Sequence, residues 1–177
     1  MRHASELNVI SVSGGKDSTA LYCLAIEFYG NDFLPLFADT GNEHPVTGNY
    51  IRNLHVIAGG PVVRIVKSDF KFKLKDKVAS GNPFLDMMLW KGRAPSTKAQ
   101  FCTEWVKLWP IRLYLEANYP DRDWIMHVGL RAGESLSRSR RQPFEWNDYF
   151  DCENISPLLY ETEEGIFRFL AGKGVPP

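Results

Sequence analysis

Ser11-Val12-Ser13-Gly14-Gly15-Lys16-Asp17-Ser18-Thr19 lies between an apolar run and an amphipathic one, and its reading decides the fold. Residues 7–12 are mostly apolar and suit a buried strand, whereas Ala20, Leu21, Leu24, Ala25 and Phe28 recur at helical spacing. The stretch is therefore a strand-to-helix turn. Two consecutive glycines permit positive φ and let backbone N–H groups approach a ligand closely, which is the composition of an anion nest. Ser18 and Thr19 are placed to cap the helix, whose free N–H groups and positive dipole end face the same point. Lys16 adds a full positive charge. Asp17 would repel a phosphate unless a divalent cation lay between them, so it reads as a Mg²⁺-side residue.

The chain of 177 residues is one domain by length, and 21 Lys+Arg balance 21 Asp+Glu. No bulk field draws it to membrane or nucleic acid, so any such partner must be met by a local patch. No basic-and-apolar leader and no run near the roughly 20 apolar residues of a spanning helix is read, so a cytoplasmic location is expected. Cys23, Cys102 and Cys152 lie far apart without a Cys-x-x-Cys pair, which fits a reducing compartment rather than a disulfide scaffold. Three thiols cannot complete a four-thiolate site, so an iron–sulfur cluster held by one copy is not expected.

Outward from the first turn, residues 33–38 read as a second buried strand ending at Asp39-Thr40-Gly41. In an open α/β sheet ligands bind at strand carboxyl ends, which points Asp39 and Thr40 to the crevice of the first loop, with a turn cap as the alternative for Asp39. A helix is expected over 46–58, with Tyr50, Ile51, Leu54 and Ile57 at helical intervals, and a third strand over 62–66. Alternating strand and helix predicts a parallel, right-handed, Rossmann-like α/β sheet flanked by helices. Lysines at 71, 73, 75 and 77 spread around a helix and read as a solvated segment. Leu85, Met88 and Leu89 are expected in the core. Cys102, Thr103 and Lys107 fall within one or two helical turns, and Pro110 is expected to start a fresh helix with Ile111, Tyr114 and Leu115 inward. A fourth strand over 124–130 leads into a basic stretch, Arg131 to Arg141, that reads either as an exposed loop or as a clamp for sulfate or phosphate. A helix over 161–170 turns Ile166, Phe167 and Leu170 inward.

Ser13-Gly14-Gly15-Lys16-Asp17-Ser18 resembles the PP-loop of the ATP pyrophosphatase superfamily. Within it the chain resembles the PAPS (phosphoadenosine phosphosulfate) reductase family, through four blocks in order: Ser13 to Ser18; Asp39-Thr40-Gly41 with His44-Pro45 and Tyr50; Cys102-Thr103 with Lys107 and Pro110; and Gly129 with Arg131, Glu134, Ser135 and Arg138. The resemblance implies a single domain over 1–177 without the family's C-terminal region, and an adenine nucleotide across the strand ends. Ser11, Ser13, Gly14, Gly15, Lys16, Asp17, Ser18, Thr19, Asp39, Thr40, Gly41, Gly129 and Arg131 become candidates for nucleotide binding. Lys107, Glu134, Ser135 and Arg138 become candidates for the acceptor or anion, and Lys16, Asp17, Cys102 and Arg131 for catalysis. The retained Lys16 favours relatives that cleave ATP between its α and β phosphates, with Mg²⁺, to adenylate an acceptor in sulfur metabolism or transfer. PAPS reduction to sulfite, and a non-catalytic nucleotide-binding module, are the alternatives. The acceptor stays unidentified, a partner protein or homo-oligomer stays open, and nucleic acid is a partner the net charge does not indicate.

Overall fold

The computed structural model describes residues 6–96 and 99–176. Six strands, β1 (Leu7–Ser11), β2 (Leu34–Asp39), β3 (Arg64–Lys67), β4 (Trp124–His127), β5 (Phe144–Asn147) and β6 (Cys152–Ile155), form one sheet. Their order is β3-β2-β1-β4-β6-β5. β1 runs parallel to β2, with Val9 opposite Leu34, and parallel to β4, with Val9 opposite Met126. β4 continues parallel into β6. The expected α/β sheet is thus mostly parallel, with one departure at its edge, where β5 runs antiparallel to β6. The sequence reading missed this hairpin because β5 has no buried face to generate a pattern: Phe144 and Trp146 are both exposed.

The helices are α1 (Lys16–Tyr29), α2 (Pro45–Ala58), α3 (Lys71–Leu74), α4 (Pro83–Lys91), α5 (Trp109–Asn118) and α6 (Glu163–Gly172). The chain divides into two compact units: Met1–Leu36, Val46–Arg64 and Asp121–Pro177 form the first; Phe37–Pro45 and Ile65–Pro120 form the second.

In the first unit the core gathers Val9 and Ile10 of β1, Ala20, Leu21 and Tyr22 of α1, Ile51 and Leu54 of α2, and Ile166 and Leu170 of α6, all essentially without solvent contact. Tyr22 keeps its hydroxyl satisfied by donating to the Pro61 carbonyl at 2.6 Å. Phe167, expected inward, is 43% exposed, and Phe28 and Ile57, which share the helical spacing of their neighbours, are 73% and 36% exposed. Each lies at the outward edge of its helix's apolar stripe, where spacing alone does not separate core from rim. α6 starts as its sequence dictates, with Thr162 Oγ1 accepting from the Gly165 amide at 3.0 Å and two glutamates in the first turn.

In the second unit Phe70, Leu74, Met87 and Val106 form a buried cluster, with Trp90, Trp105 and Trp109 packed against it. Leu85 and Leu89, expected in this core, are 46% and 42% exposed, and Met87 is the buried residue instead. Asp86 explains the rotation. It is buried and accepts from the Ser80 amide and hydroxyl, each at 2.7 Å, and from the Gly81 amide at 3.1 Å. Anchoring that carboxylate inward turns the Asp86–Met87 face to the core and the leucines away. Pro110 sits in the first turn of α5, as expected, but that helix is not a fresh start. The helix runs on from Phe101 through a π-helical segment, Thr103–Leu108, into α5. The Trp109 amide bonds back five residues to Glu104, a register that accommodates the proline's missing N–H one residue later.

His127 on β4 is buried and bonds Asn8 of β1, Nε2 to Oδ1 at 2.9 Å. Burial pushes its pKa down from 6.5 to about 4. The unfolded chain therefore takes up the proton first as pH falls. The contribution of His127 to stability is complete above about pH 6.5 and declines toward pH 4, by at most about 1.4 kcal/mol per pH unit. Urea midpoints measured from pH 4 to 7 should fall less steeply in His127→Gln than in the wild type. Parallel acid limbs in the two proteins would show that the histidine is not buried neutral.

Candidate functional site

The first unit builds its candidate site from the turn after β1, where Ser11 is the last strand residue, and from the loop after β4. Ser18 closes the turn from inside. Its Oγ accepts from the Ser13 amide and the Ser13 hydroxyl and donates to the Gly15 carbonyl, each at 3.0 Å. The expectation that Ser18 and Thr19 cap the helix is corrected: Lys16 is already helical, Gly15 is the N-cap, and no side chain caps it. Of the two glycines only Gly14 needs positive φ, at +80°, and a Cβ there would stand 2.9 Å from Thr47 Cγ2. Thr19 is buried and faces the Tyr50 hydroxyl at 3.4 Å, and that hydroxyl also donates to the Pro176 carbonyl at 2.9 Å.

The Gly14 and Gly15 amides make no hydrogen bond among the described residues. The first-turn amides of α1 lack intrahelical acceptors by geometry. These open donors line the turn where the sequence reading places an anion nest.

Asp17 and Arg131 meet inside it. Arg131 Nε donates to Asp17 Oδ1 at 2.7 Å, and both residues are buried. Removal from water alone would lower the guanidinium's pKa; the hydrogen bond and charge of Asp17 outweigh that and hold it above its usual value. The bond uses Nε and leaves the two Nη nitrogens without a protein partner among the described residues. Of the two readings of the basic stretch, the exposed loop does not hold for Arg131, which is buried. The premise that placed a cation beside Asp17 also falls, because an arginine already balances the carboxylate.

Gly129 makes this approach possible. A Cβ there would lie 2.9 Å from the Asp17 carbonyl oxygen and 3.1 Å from the Ser18 nitrogen, both backbone atoms that cannot yield. Beyond Arg131 the basic stretch is ordered as two 3₁₀ turns, Ala132–Glu134 and Arg138–Arg140. Glu134 accepts from the Arg131 amide at 3.1 Å and pairs with Arg138, while Ser135 Oγ accepts from the Arg138 amide at 3.2 Å. Burial pushes the Glu134 carboxyl up, but the bonds from Arg138 and the Arg131 amide, with both guanidinium charges, bring it below its usual value. Arg138 is thus engaged by Glu134 rather than presented free.

Lys16 has a partner the sequence did not disclose. Its Nζ lies 3.1 Å from Glu163 at the start of α6 and 3.8 Å from Asp17. Thr162-Glu163-Glu164 signals a helix start, but no spacing rule links it to a turn some 150 residues earlier.

The second unit holds the other candidates. Asp39 Oδ1 accepts from the Gly41 amide at 2.8 Å, and the buried Thr40 donates to Glu43 at 2.8 Å. Gly41, at φ +77°, packs against Asn82, whose Nδ2 donates to its carbonyl at 2.6 Å. Asp39 therefore serves as the turn acceptor that was its alternative reading. Cys102 stands half-buried at the start of the π-helical segment, and Lys107 is exposed within it.

Among the described residues no group of three or more His, Cys, Asp or Glu side chains could hold a metal ion, and no helix is long and apolar enough to cross a membrane. The three cysteines are free thiols.

Sheet, turn and arginine together define an α/β protein of the PP-loop type. Its family is more specific: residues 7–177 match the phosphoadenosine phosphosulfate reductase domain, and the chain belongs to that family. An uncharacterized 37.8 kDa protein of Escherichia phage 186 is 34% identical over 217 residues, covering 98% of this chain and 62% of that protein. A protein of Methanocaldococcus jannaschii is 25% identical over 95% of this chain and 32% of its own length. A nin-region protein of Escherichia phage lambda is 29% identical over 72% of this chain and 49% of its length. The chain thus spans 32% to 62% of these relatives.

Among solved structures, PAPS reductase from Candida auris in a phosphate complex superposes with a TM-score of 0.64 at 16% identity, over 96% of this chain and 73% of that one. FMN adenylyltransferase from Candida glabrata in complex with ATP gives 0.53 at 18% identity, over 94% and 45%. The U34-tRNA thiolase of Methanococcus maripaludis with its 4Fe-4S cluster gives 0.54 at 15%, over 96% and 56%. At these identities the likeness is one of fold.

Two outcomes are expected. Arg131→Glu places two carboxylates in one buried space and should lower the melting temperature sharply, whereas Arg131→Gln and Asp17→Asn should each cost about 3–5 kcal/mol by stranding one charge. A double-mutant cycle by urea unfolding should return a large coupling; independent costs would mean that the pair does not form. Burial pushes the Cys152 thiol up to about 11 and raises that of Cys23 as well. Cys102 should therefore be alkylated first by iodoacetamide, as read by peptide mass analysis, and earlier labelling of either buried thiol would contradict its placement.

Proposed function

We propose that the protein binds ATP through the turn Ser13–Ser18 and cleaves it between the α and β phosphates, adenylating an oxygen of an acceptor. The observation that carries this reading is the set of open amides at Gly14, Gly15 and the first turn of α1, flanked by Lys16 and by the unpartnered nitrogens of Arg131. In the reaction an acceptor oxygen forms a bond to Pα as the bond from Pα to the bridging oxygen breaks, and pyrophosphate leaves with both electrons of that bond. Charge accumulates on the leaving group. Backbone donors fixed by the Ser13–Ser18 bonds meet that charge without reorganising, which is where such sites stabilise a transition state. Lys16 and Arg131 supply the countercharge, and Asp17 holds the guanidinium in place rather than contacting the nucleotide.

The donor set does not fit a Mg²⁺ held by the protein, since the Asp17 carboxylate is taken by Arg131 and lies near Lys16. Mg²⁺ commonly travels on the phosphates of its nucleotide. No step here depends on it.

PAPS reduction is the second reading. It is favoured by the family match and by Cys102, the one cysteine of the three that is not buried. It would release sulfite instead of pyrophosphate.

Lys16→Ala should weaken ATP binding about ten- to a hundredfold in calorimetry while leaving the melting temperature nearly unchanged, because one charge-assisted contact of about 1.5–3 kcal/mol is lost. Glu163→Gln should act in the opposite direction, strengthening binding by up to about fivefold, since it frees Lys16 from a half-exposed pair. ATP affinity unaltered by Lys16→Ala removes the assignment. Incubation with ATP, and separately with PAPS plus a dithiol reductant that supplies the two electrons sulfite release requires, followed by assays for pyrophosphate and sulfite, separates the two reactions.

A further inference from the structure

The lysine-rich run after β3 has no part in the reading above. It was expected to be solvated, but in the second unit Lys73 lies over an aromatic cluster. Its Nζ is 5.3 Å from the ring centroid of Phe72, 5.0 Å from Trp90, 5.1 Å from Trp105 and 6.0 Å from Trp109. Lys91 Nζ lies 4.0 Å from Trp90 and 4.9 Å from Trp105, and the Arg93 guanidinium 5.4 Å from Phe101. The rings adjoin one another, Trp90 to Trp105 at 4.7 Å and Trp105 to Trp109 at 5.4 Å, with Phe72 against Trp109 at 5.9 Å. Three of the five tryptophans of the chain meet here, all half-buried, and Phe72 is 67% exposed.

Charge is segregated in the same place. Residues 65–120 hold ten of the 21 Lys and Arg but five of the 21 Asp and Glu, in a chain of zero net charge. One of those five, Asp86, is buried. The ion pairs described in this unit join Lys71 to Asp69 and Arg112 to Glu116, and none engages Lys73, Lys91 or Arg93. Three cations that have no carboxylate partner among the described residues therefore rest on accessible π faces. A cation over an exposed ring gains less than a charge-assisted bond to an anion, so an incoming phosphate can draw it off and open the face beneath.

We propose that this aromatic and basic face of the second unit, centred on Phe72, Lys73, Trp90, Lys91, Arg93 and Trp105, binds single-stranded nucleic acid. A single strand brings a phosphate at every nucleotide and a base plane beside it, matching cations interleaved with rings. A duplex hides its base faces, and an acidic protein segment brings charge without planes to stack. The surface is independent of the ATP reading, and its test uses no nucleotide triphosphate.

The experiment titrates the full chain with oligothymidylate and oligouridylate of about 12 nucleotides, within the site sizes single-strand binders use. Tryptophan fluorescence should be quenched, and affinity should fall with salt by about 0.7 log units per log unit for each phosphate neutralised. The combined Lys73→Gln, Lys91→Gln, Arg93→Gln variant should lose at least about tenfold in affinity and reduce that slope by about two. Phe72→Ala, at an exposed position that folding tolerates, should lose about five- to a hundredfold while keeping the wild-type slope. Circular dichroism melting confirms that both variants remain folded. No quenching at about 50 mM salt, where such contacts are strong, overturns the proposal. So does equal binding by wild type and variants, tighter binding of a duplex, or tighter binding of polyglutamate.

Discussion

One buried contact, Arg131 Nε on Asp17 Oδ1, joins the start of α1 to the loop that follows β4. Much of the first unit's site geometry follows from it. The carboxylate can face a turn of open amides because a guanidinium already balances it, and the guanidinium can be buried because the carboxylate receives it. Buried ion pairs are weak sources of net stability, since desolvation cancels most of the attraction. Here the pair sets position: Gly129 has no side chain, so the two loops close to backbone contact, and the turn's amides stay open while its hydroxyls are consumed internally. A single-headed lysine at position 131 could satisfy Asp17 or reach outward, but not both.

Lys16 shows a related economy. Its ammonium rests between Glu163 and Asp17, with the Phe167 ring 5.9 Å away. Phe167, expected in the core, is thus at the surface beside the site, and α6 contributes to the environment of a turn formed by the first residues of the fold. A half-exposed pair of this kind holds the lysine in place yet costs little to break.

What was legible in the sequence is what local chemistry determines. Residues 7–12 and 33–38 announced their strands by apolar run and 46–58 its helix by period, and the double glycine followed by Lys16 announced a turn whose backbone amides stay open. Partners brought from far along the chain were not legible. Glu163 beside Lys16, Arg131 on Asp17 and Asn82 on Gly41 are products of tertiary closure, and no spacing in the sequence encodes them. Rotational errors had a different origin. Leu85 and Leu89 form a plausible inward stripe until Asp86 is seen to take three hydrogen bonds beneath its own helix, which outweighs burial of two leucines. The β5–β6 hairpin escaped because its aromatic residues face outward, leaving periodicity with nothing to report.

The π-helical segment Thr103–Leu108 has a consequence for how this helix can vary in length. Each residue of an α-helix turns the chain by about 100°, so a π segment amounts to one surplus residue stored in the coil. Remove that residue and the helix would regularise, but everything before the deletion would swing by about a quarter turn relative to α5, carrying Cys102 and Trp105 out of their present directions. Pro110 would at the same time set its ring against the carbonyl of the preceding turn. Length and proline are therefore coupled within this one helix: a chain that sheds the surplus residue must also shed the proline, and a chain that keeps Pro110 keeps the bulge and the facing it imposes on the aromatic cluster.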